Sequence, residues 1–121
     1  MPTPKEVAQR LSGELTIEID EEGNKRWYLK GKLHREDGPA IEWADGSKDW
    51  YLNDLPHRED GPAIERNTGY KSWYLNGKSH REDGPAVEWA NGDKDWYLNG
   101  RLLREEVQQV NVDFIKNKIG D

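Results

Sequence analysis

Between residues 39 and 53 the chain reads PAIEWADGSKDWYLN, with apolar and polar positions alternating on either side of Asp45-Gly46. Alternation marks half-buried strands, and Asp-Gly between two such runs marks a hairpin turn. Setting Ala44 opposite Ser47 places Ile41, Trp43, Trp50 and Leu52 on one face. Ala40, Glu42, Asp49, Tyr51 and Asn53 then fall on the other, which is mostly polar with one tyrosine. A second tight turn follows downstream. Lys30-Gly31, Asn76-Gly77 and Asn99-Gly100 suit turns with positive φ, and Asn53-Asp54 fills that place in the second copy. This turn sets Trp27 opposite His34 and Tyr28 opposite Leu33, so the histidines join the tryptophan face. Arg-Glu-Asp-Gly-Pro follows as a longer corner. Its proline has no N–H for a ladder and suits a strand start or an edge.

The whole pattern recurs. HREDGPA stands at 34–40, 57–63 and 80–86, and WYL at 27–29, 50–52, 73–75 and 96–98, each 23 residues after the last. A fixed period of this length marks a repeat protein. Stacked copies predict a mainly β fold: a repetitive, single-layer antiparallel hairpin meander with Trp, Ile and Leu in columns. Each copy buries its face only against neighbours, so the ends need caps. One domain spans 1–121, with a short helical cap over 1–13, about four β repeats over 14–102, and a C-terminal helix over 103–121. Residues 4–12 carry a Pro-initiated helix signal with Val7, Ala8 and Leu11 on one side. Leu103, Val107, Val110 and Phe114 have helical spacing. Residues 14–29 form a decayed repeat around a Glu22-Gly23 turn. There Ile17 and Ile19 occupy the places of Ala40 and Glu42, and this reversed parity predicts a bulge or a covering helix.

Composition sharpens the picture at three points. Hydrophobic residues make up 33% of the chain and charged residues 35%, so the core is thin. Six Trp and five Tyr recurring in register argue against disorder, because each can bury a large area. The absence of cysteine excludes disulfides and Cys-based zinc sites. No apolar run reaches the roughly 18 residues of a membrane span, and the first residues lack the regions of a signal peptide. The expectation is a cytoplasmic protein without membrane insertion. A net charge of −6 opposes direct nucleic-acid binding and suits a basic protein partner or plain solubility.

The phrase Trp-Tyr-Leu-Asn-Gly-Lys-x-His at 73–80, followed by a glycine and a later Asn-Gly turn on the 23-residue beat, resembles the MORN repeat. It is closer still to the divergent variants found in bacteria and viruses. The resemblance covers about 27–102. Two departures are plain: Arg-Glu-Asp stands before Gly38, Gly61 and Gly84, and the family's Tyr-x-Gly-x-Trp phrase is absent. The resemblance implies a twisted run of antiparallel hairpins that mediates protein contacts or self-association. It fixes no reaction, since fold alone does not give function.

His-Arg-Glu-Asp is the one set with catalytic residue types. Three identical copies, with Leu103 in the histidine place of a fourth, describe packing rather than one asymmetric site. No catalytic residue, metal or cofactor is assigned, and His34, His57 and His80 read as structural. Asp37, Asp60 and Asp83 read as turn residues and Trp27, Trp50, Trp73 and Trp96 as core. Trp43 and Trp89 differ, because the intervening copy puts Arg66 in their column. That column, with Tyr51, Tyr74 and Tyr97, is the leading protein-contact surface. The first expectation is therefore a non-enzymatic protein-interaction module, with a homodimer left open. The alternative is a small acidic inhibitor of the phage type. It would occupy the basic groove of a host nucleic-acid-handling or defence enzyme with Glu42, Asp45, Asp49, Glu88, Asp93 and Asp95. A third option is a pocket for a nucleotide signal or other small anion, built on Arg35, Arg58 and Arg81.

Overall fold

The computed structural model describes residues 9–11 and 15–103. It is mainly β and antiparallel. The first four strands are β1 (Gln9–Leu11), β2 (Leu15–Ile19), β3 (Lys25–Leu29) and β4 (Lys32–Leu33). The next copy supplies β5 (Ile41–Glu42), β6 (Lys48–Asp49), β7 (Tyr51–Leu52) and β8 (Leu55–Pro56). The third gives β9 (Ile64–Glu65), β10 (Lys71–Ser72), β11 (Tyr74–Leu75) and β12 (Lys78–Ser79). The last gives β13 (Val87–Glu88), β14 (Lys94–Asp95), β15 (Tyr97–Leu98) and β16 (Arg101–Leu102).

Each copy thus makes two hairpins with different destinations. The first hairpins join into one sheet in the order β1-β2-β3-β5-β6-β9-β10-β13-β14, with β4 paired to β3. The second hairpins, β7-β8, β11-β12 and β15-β16, each stand as a separate two-stranded sheet. The tryptophan sits at the branch point. The Trp50 N–H donates to the Ala63 carbonyl of the next copy at 2.7 Å, and its carbonyl accepts from the His57 N–H at 3.0 Å. Trp27 and Trp73 do the same towards Ala40 and His34, and Ala86 and His80. The second hairpins are tied to their neighbours at two points. Arg35 N–H donates to the Tyr51 carbonyl at 3.1 Å and Asp54 N–H to the Leu33 carbonyl at 2.8 Å.

The second turn matches its expected form. Both central residues take positive φ in every copy, 53° and 81° at Lys30-Gly31 and 50° and 67° at Asn53-Asp54, as a two-residue turn of the primed type requires. The first turn corrects the register. Trp43 N–H donates to the Ser47 carbonyl at 2.9 Å, and Gly46 lies at φ 94°. The loop has three residues, Ala44 to Gly46, with the glycine in the left-handed position. The Asp45 carboxylate helps set it by accepting from the Ser47 N–H at 2.8 Å. The partners are consequently Ile41 with Asp49 and Glu42 with Lys48. A slip of one residue moves every side chain of one strand to the other face. Asp49 therefore faces Ile41 and joins Trp43, while Trp50 turns to the other face and bonds Ala63 of the next copy.

The N-terminal end departs from expectation as well. Gln9–Leu11 is a strand paired antiparallel with β2, where a helix over 1–13 was expected. The physical reason is the open edge of β2, whose unpaired backbone groups take a further strand. β2 and β3 pair without interruption from Leu15–Leu29 to Ile19–Lys25, so the predicted bulge is not there. Ile17 opposes Trp27. The rest of the N-terminal cap and the helix expected from 104 onwards lie outside the described residues.

Candidate functional site

One face is built from the corners. The Arg35 guanidinium lies 4.0 Å over the Trp27 ring, Arg58 3.9 Å over Trp50 and Arg81 3.9 Å over Trp73. Such stacking contributes about 1 kcal/mol when partly covered from water. The cation is then bonded through Nε and Nη1 to its own corner. Arg58 Nε donates to Asp60 at 3.1 Å, and Nη1 donates to the Pro62 carbonyl at 3.1 Å and to Glu65 at 3.0 Å. Arg35 and Arg81 make the same set with Asp37, Pro39 and Glu42, and with Asp83, Pro85 and Glu88. Gly61 closes the stack from the far side. A Cβ there would lie 2.8 Å from Arg58 Cζ, and the equivalents at Gly38 and Gly84 would lie at 2.7 Å. These glycines are needed for space. Ala40, Ala63 and Ala86 are wholly buried beside them.

The histidines tie one copy to the next. Nδ1 of His34, His57 and His80 accepts from the backbone N–H of Asn53, Asn76 and Asn99 at 2.9–3.0 Å. That bond leaves the proton on Nε2, which faces Glu36, Glu59 and Glu82 at 3.2–3.4 Å. Both ring nitrogens are engaged, and the proton is held in one tautomer.

The second turn of the second copy has its own logic. Asp54 takes the place of a glycine, and its carboxylate accepts from the Leu33 N–H at 2.7 Å. One copy later the turn carries Gly77, which offers no such acceptor, and the residue in the place of Leu33 is Pro56, which has no N–H to satisfy. The two irregular residues complement each other across neighbouring copies.

The other face carries the column of Trp43, Arg66 and Trp89. Trp43 Nε1 donates to Asp49 at 3.2 Å, and Trp89 Nε1 donates to Asp95 at 2.9 Å. In the copy between them three positions change together: Arg66, Tyr70 and Ser72 replace Trp, Ser or Asp, and Asp. With Ser72 in its own hairpin, Arg66 reaches back to Asp49, making a short Nη1–Oδ1 ion pair and a second contact from Nη2 to Oδ2 at 3.4 Å. The Asp49 bond raises the Arg66 pKa further above its ordinary value. Tyr70 packs edge-on against Trp89, with ring centroids 5.1 Å apart at 62°. Arg26 lies 5.3 Å over the Trp43 ring and bonds Asp20 at 3.0 Å. The column therefore reads Arg26, Trp43, Arg66, Trp89, with cations and aromatics in turn.

The predicted contact residues Trp43, Arg66 and Trp89 do come together on one face. Tyr51 belongs with them: burial pushes its hydroxyl pKa up, and the Asp49 carboxylate adds to the rise. Tyr74 and Tyr97 are half-buried in the same strand position. The acidic candidates scatter. Asp49 is a correction, since it is only 3% exposed and neutralised by Arg66, so it offers no surface charge. Glu42 and Glu88 are bound to the corner arginines, and Asp95 holds Trp89. Asp45 and Asp93 are exposed on turns, and the bond from the Ser47 backbone lowers the Asp45 pKa. The exposed carboxylates that sequence inspection passed over are in the corners. Side chains of Glu36, Asp37, Glu59, Asp60 and Asp83 are 81–90% exposed, and Glu82 is 51% exposed. Their signal was present, as the two corner residues with least to pack against.

The arginine row is not an open anion site, since each guanidinium already meets two carboxylates and a carbonyl. Among the described residues no group of three or more His, Cys, Asp and Glu is placed to hold a metal ion, and no helix is long and apolar enough to cross a membrane. No family model, curated protein or solved structure matches the chain.

Proposed function

We propose that this chain is a non-enzymatic protein-interaction module built from MORN-like hairpin repeats, with the Trp43–Arg66–Trp89 column as its contact surface. The state of Trp89 carries the proposal. The residue is 45% exposed, yet its indole N–H is bound to Asp95 and its ring is braced by Tyr70. A half-exposed aromatic held in one orientation loses little entropy on docking, which is the character of an interface anchor. Leu102, 60% exposed, lines a depression of about 410 Å³ with Trp89 and Trp96, extending the apolar surface. The histidines and corner acids, engaged in bonds that repeat in every copy, support a structural assignment over a catalytic one.

Affinity capture from the native cell tests this proposal. A protein retained by the wild type is expected to be lost with Trp89→Ala and weakened with Trp43→Ala, both variants keeping their β circular dichroism. Equal retention by a folded Trp89→Ala chain sinks it. Light scattering of the free protein decides whether the partner is a second copy.

The exposed corner carboxylates favour a second reading, an acidic inhibitor seated in the basic groove of another protein. Binding that falls steeply with salt and ignores Trp89→Ala would favour it over the first.

A further inference from the structure

We propose that the corner face binds an extended polypeptide segment in the polyproline II conformation, with a Lys or Arg at every third position. This surface lies across the sheet from the aromatic column and stands independently of the function proposed above.

The corners leave grooves between them. The larger encloses about 850 Å³ between residues 57–61 and 80–83, with Trp73 and Leu75 in its lining beside Arg58 and Arg81. Glu59 and Asp60 stand on one rim, and Glu82 and Asp83 on the other. The preceding groove, about 330 Å³, repeats the plan with Trp50 and Leu52 between the first and second corners. Asp60 and Asp83 each give one oxygen to their own arginine, while their side chains remain 88% and 90% exposed. Glu65 is already paired with Arg58 and lies across the strands from Lys48 and Lys71, which leaves Glu59 and Asp60 as the outward charges of that corner. The larger groove is lined by Arg58 and Arg81 against Glu59, Asp60, Glu82 and Asp83, so carboxylates are in excess there, with Trp73 and Leu75 beside them. A Lys or Arg side chain fits that combination, with its aliphatic stem on the tryptophan and leucine and its charge at the rim.

The spacing of the corners selects the shape of the ligand. Each copy adds two strands to the main sheet. Neighbouring strands lie about 4.8 Å apart, so successive corners recur about every 9.6 Å. A polyproline II segment advances about 3.1 Å per residue with three residues per turn, bringing every third side chain to one side at about 9.3 Å. A β-strand presents same-side residues at about 6.7 Å and misses the beat. A helix offers residues seven apart at about 10.5 Å and drifts by about 2 Å across the three corners. The polyproline II segment also has no internal hydrogen bonds, so it can bend with the right-handed twist of the sheet.

A fluorescein-labelled (Pro-Pro-Arg)4 peptide, titrated with the full chain and followed by anisotropy, tests this directly. The control is an isomer of the same composition with its four arginines grouped at one end. Binding of the regular peptide about tenfold tighter than the isomer is expected. Glu59→Gln/Asp60→Asn, which alters the corner shared by both grooves, should weaken binding about tenfold while keeping the wild-type melting temperature. Asp45→Asn/Asp93→Asn removes the same charge from distant turns and should leave affinity unchanged, as should Trp89→Ala. Equal affinity for the two peptides, an equal loss with the distant charge variant, or no binding at millimolar peptide each overturns the proposal. A loss with Trp89→Ala would place the peptide on the aromatic column and overturn it equally.

Discussion

The two faces of this sheet are built from the same 23-residue period, yet one repeats without change and the other does not. On the corner face, Trp, His, Arg, Gly and Ala recur identically in three copies. On the column face, Trp gives way to Arg66, Asp to Ser72, and Ser to Tyr70. The difference lies in how each interaction closes. The corner is a closed stack: indole, guanidinium and glycine backbone touch in sequence, and no member can grow or shrink alone. The column is an open chain of bonds between copies, where Asp49 can accept from its own Trp43 and from Arg66 of the next hairpin. Closed packing demands identity, whereas a re-routable network tolerates variation.

The sharpest way to break this comparison is to truncate the same residue type on each face. Trp50→Ala should cost about 3 kcal/mol in urea unfolding, because it removes the floor under Arg58 and the branch-point packing. Trp89→Ala, already half in water, should cost under about 1 kcal/mol. Equal costs would mean that the column is as closed as the corner. Next in size, Asp49→Asn should destabilise by about 2 kcal/mol, since it leaves the Arg66 guanidinium short of its buried partner. Asp95→Asn, with only an indole to lose, should cost about 0.5 kcal/mol by the same assay.

Gly61→Ala sharpens the corner side. In the wild type it should cost about 1–2 kcal/mol, because the methyl displaces Arg58 from Trp50. In an Arg58→Ala background the cost should fall to a few tenths, and a double-mutant cycle reads the coupling. Full additivity would show that the guanidinium is not what the glycine makes room for.

The smallest effect is expected at Asp20, at the start of the column. Hydrogen bonds, foremost from the Asn24 side chain, hold its carboxyl at about 2 rather than 3.8. A carboxylate held low in the folded state contributes stability above its unfolded value, and that contribution disappears as pH falls from about 3.8 through about 2. Stability of the wild type should therefore fall more steeply between pH 4 and pH 2 than that of Asp20→Asn. Identical slopes would remove Asp20 from the column's network.

Much of the architecture was legible in the order of residues. The 23-residue period, the hairpins, the positive-φ turns at Asn76-Gly77 and Asn99-Gly100, and the pairing of Trp27 with His34 all follow from local rules. So does the column of Trp43, Arg66 and Trp89, found from the single place where its pattern breaks. The face assignment of Trp50 and Asp49 was not legible, because Asp45-Gly46 serves a two-residue and a three-residue turn equally well. One residue of loop length decides which face every following side chain joins. The strand at Gln9–Leu11 was hidden for a similar reason: its local pattern suits a helix, and the open edge of β2 overrode it.

The sequence by itself therefore determined the repeat, the class of fold and the identity of the corner, because each depends on neighbours close along the chain. Only the tertiary structure decided where the charges go. Arg58 is spent on Trp50, Asp60 and Glu65, Asp49 is buried beneath Arg66, and Glu59 and Asp60 stand in water. These outcomes depend on contacts between hairpins whose facing residues are set by register, a property of the assembled sheet and of no single copy.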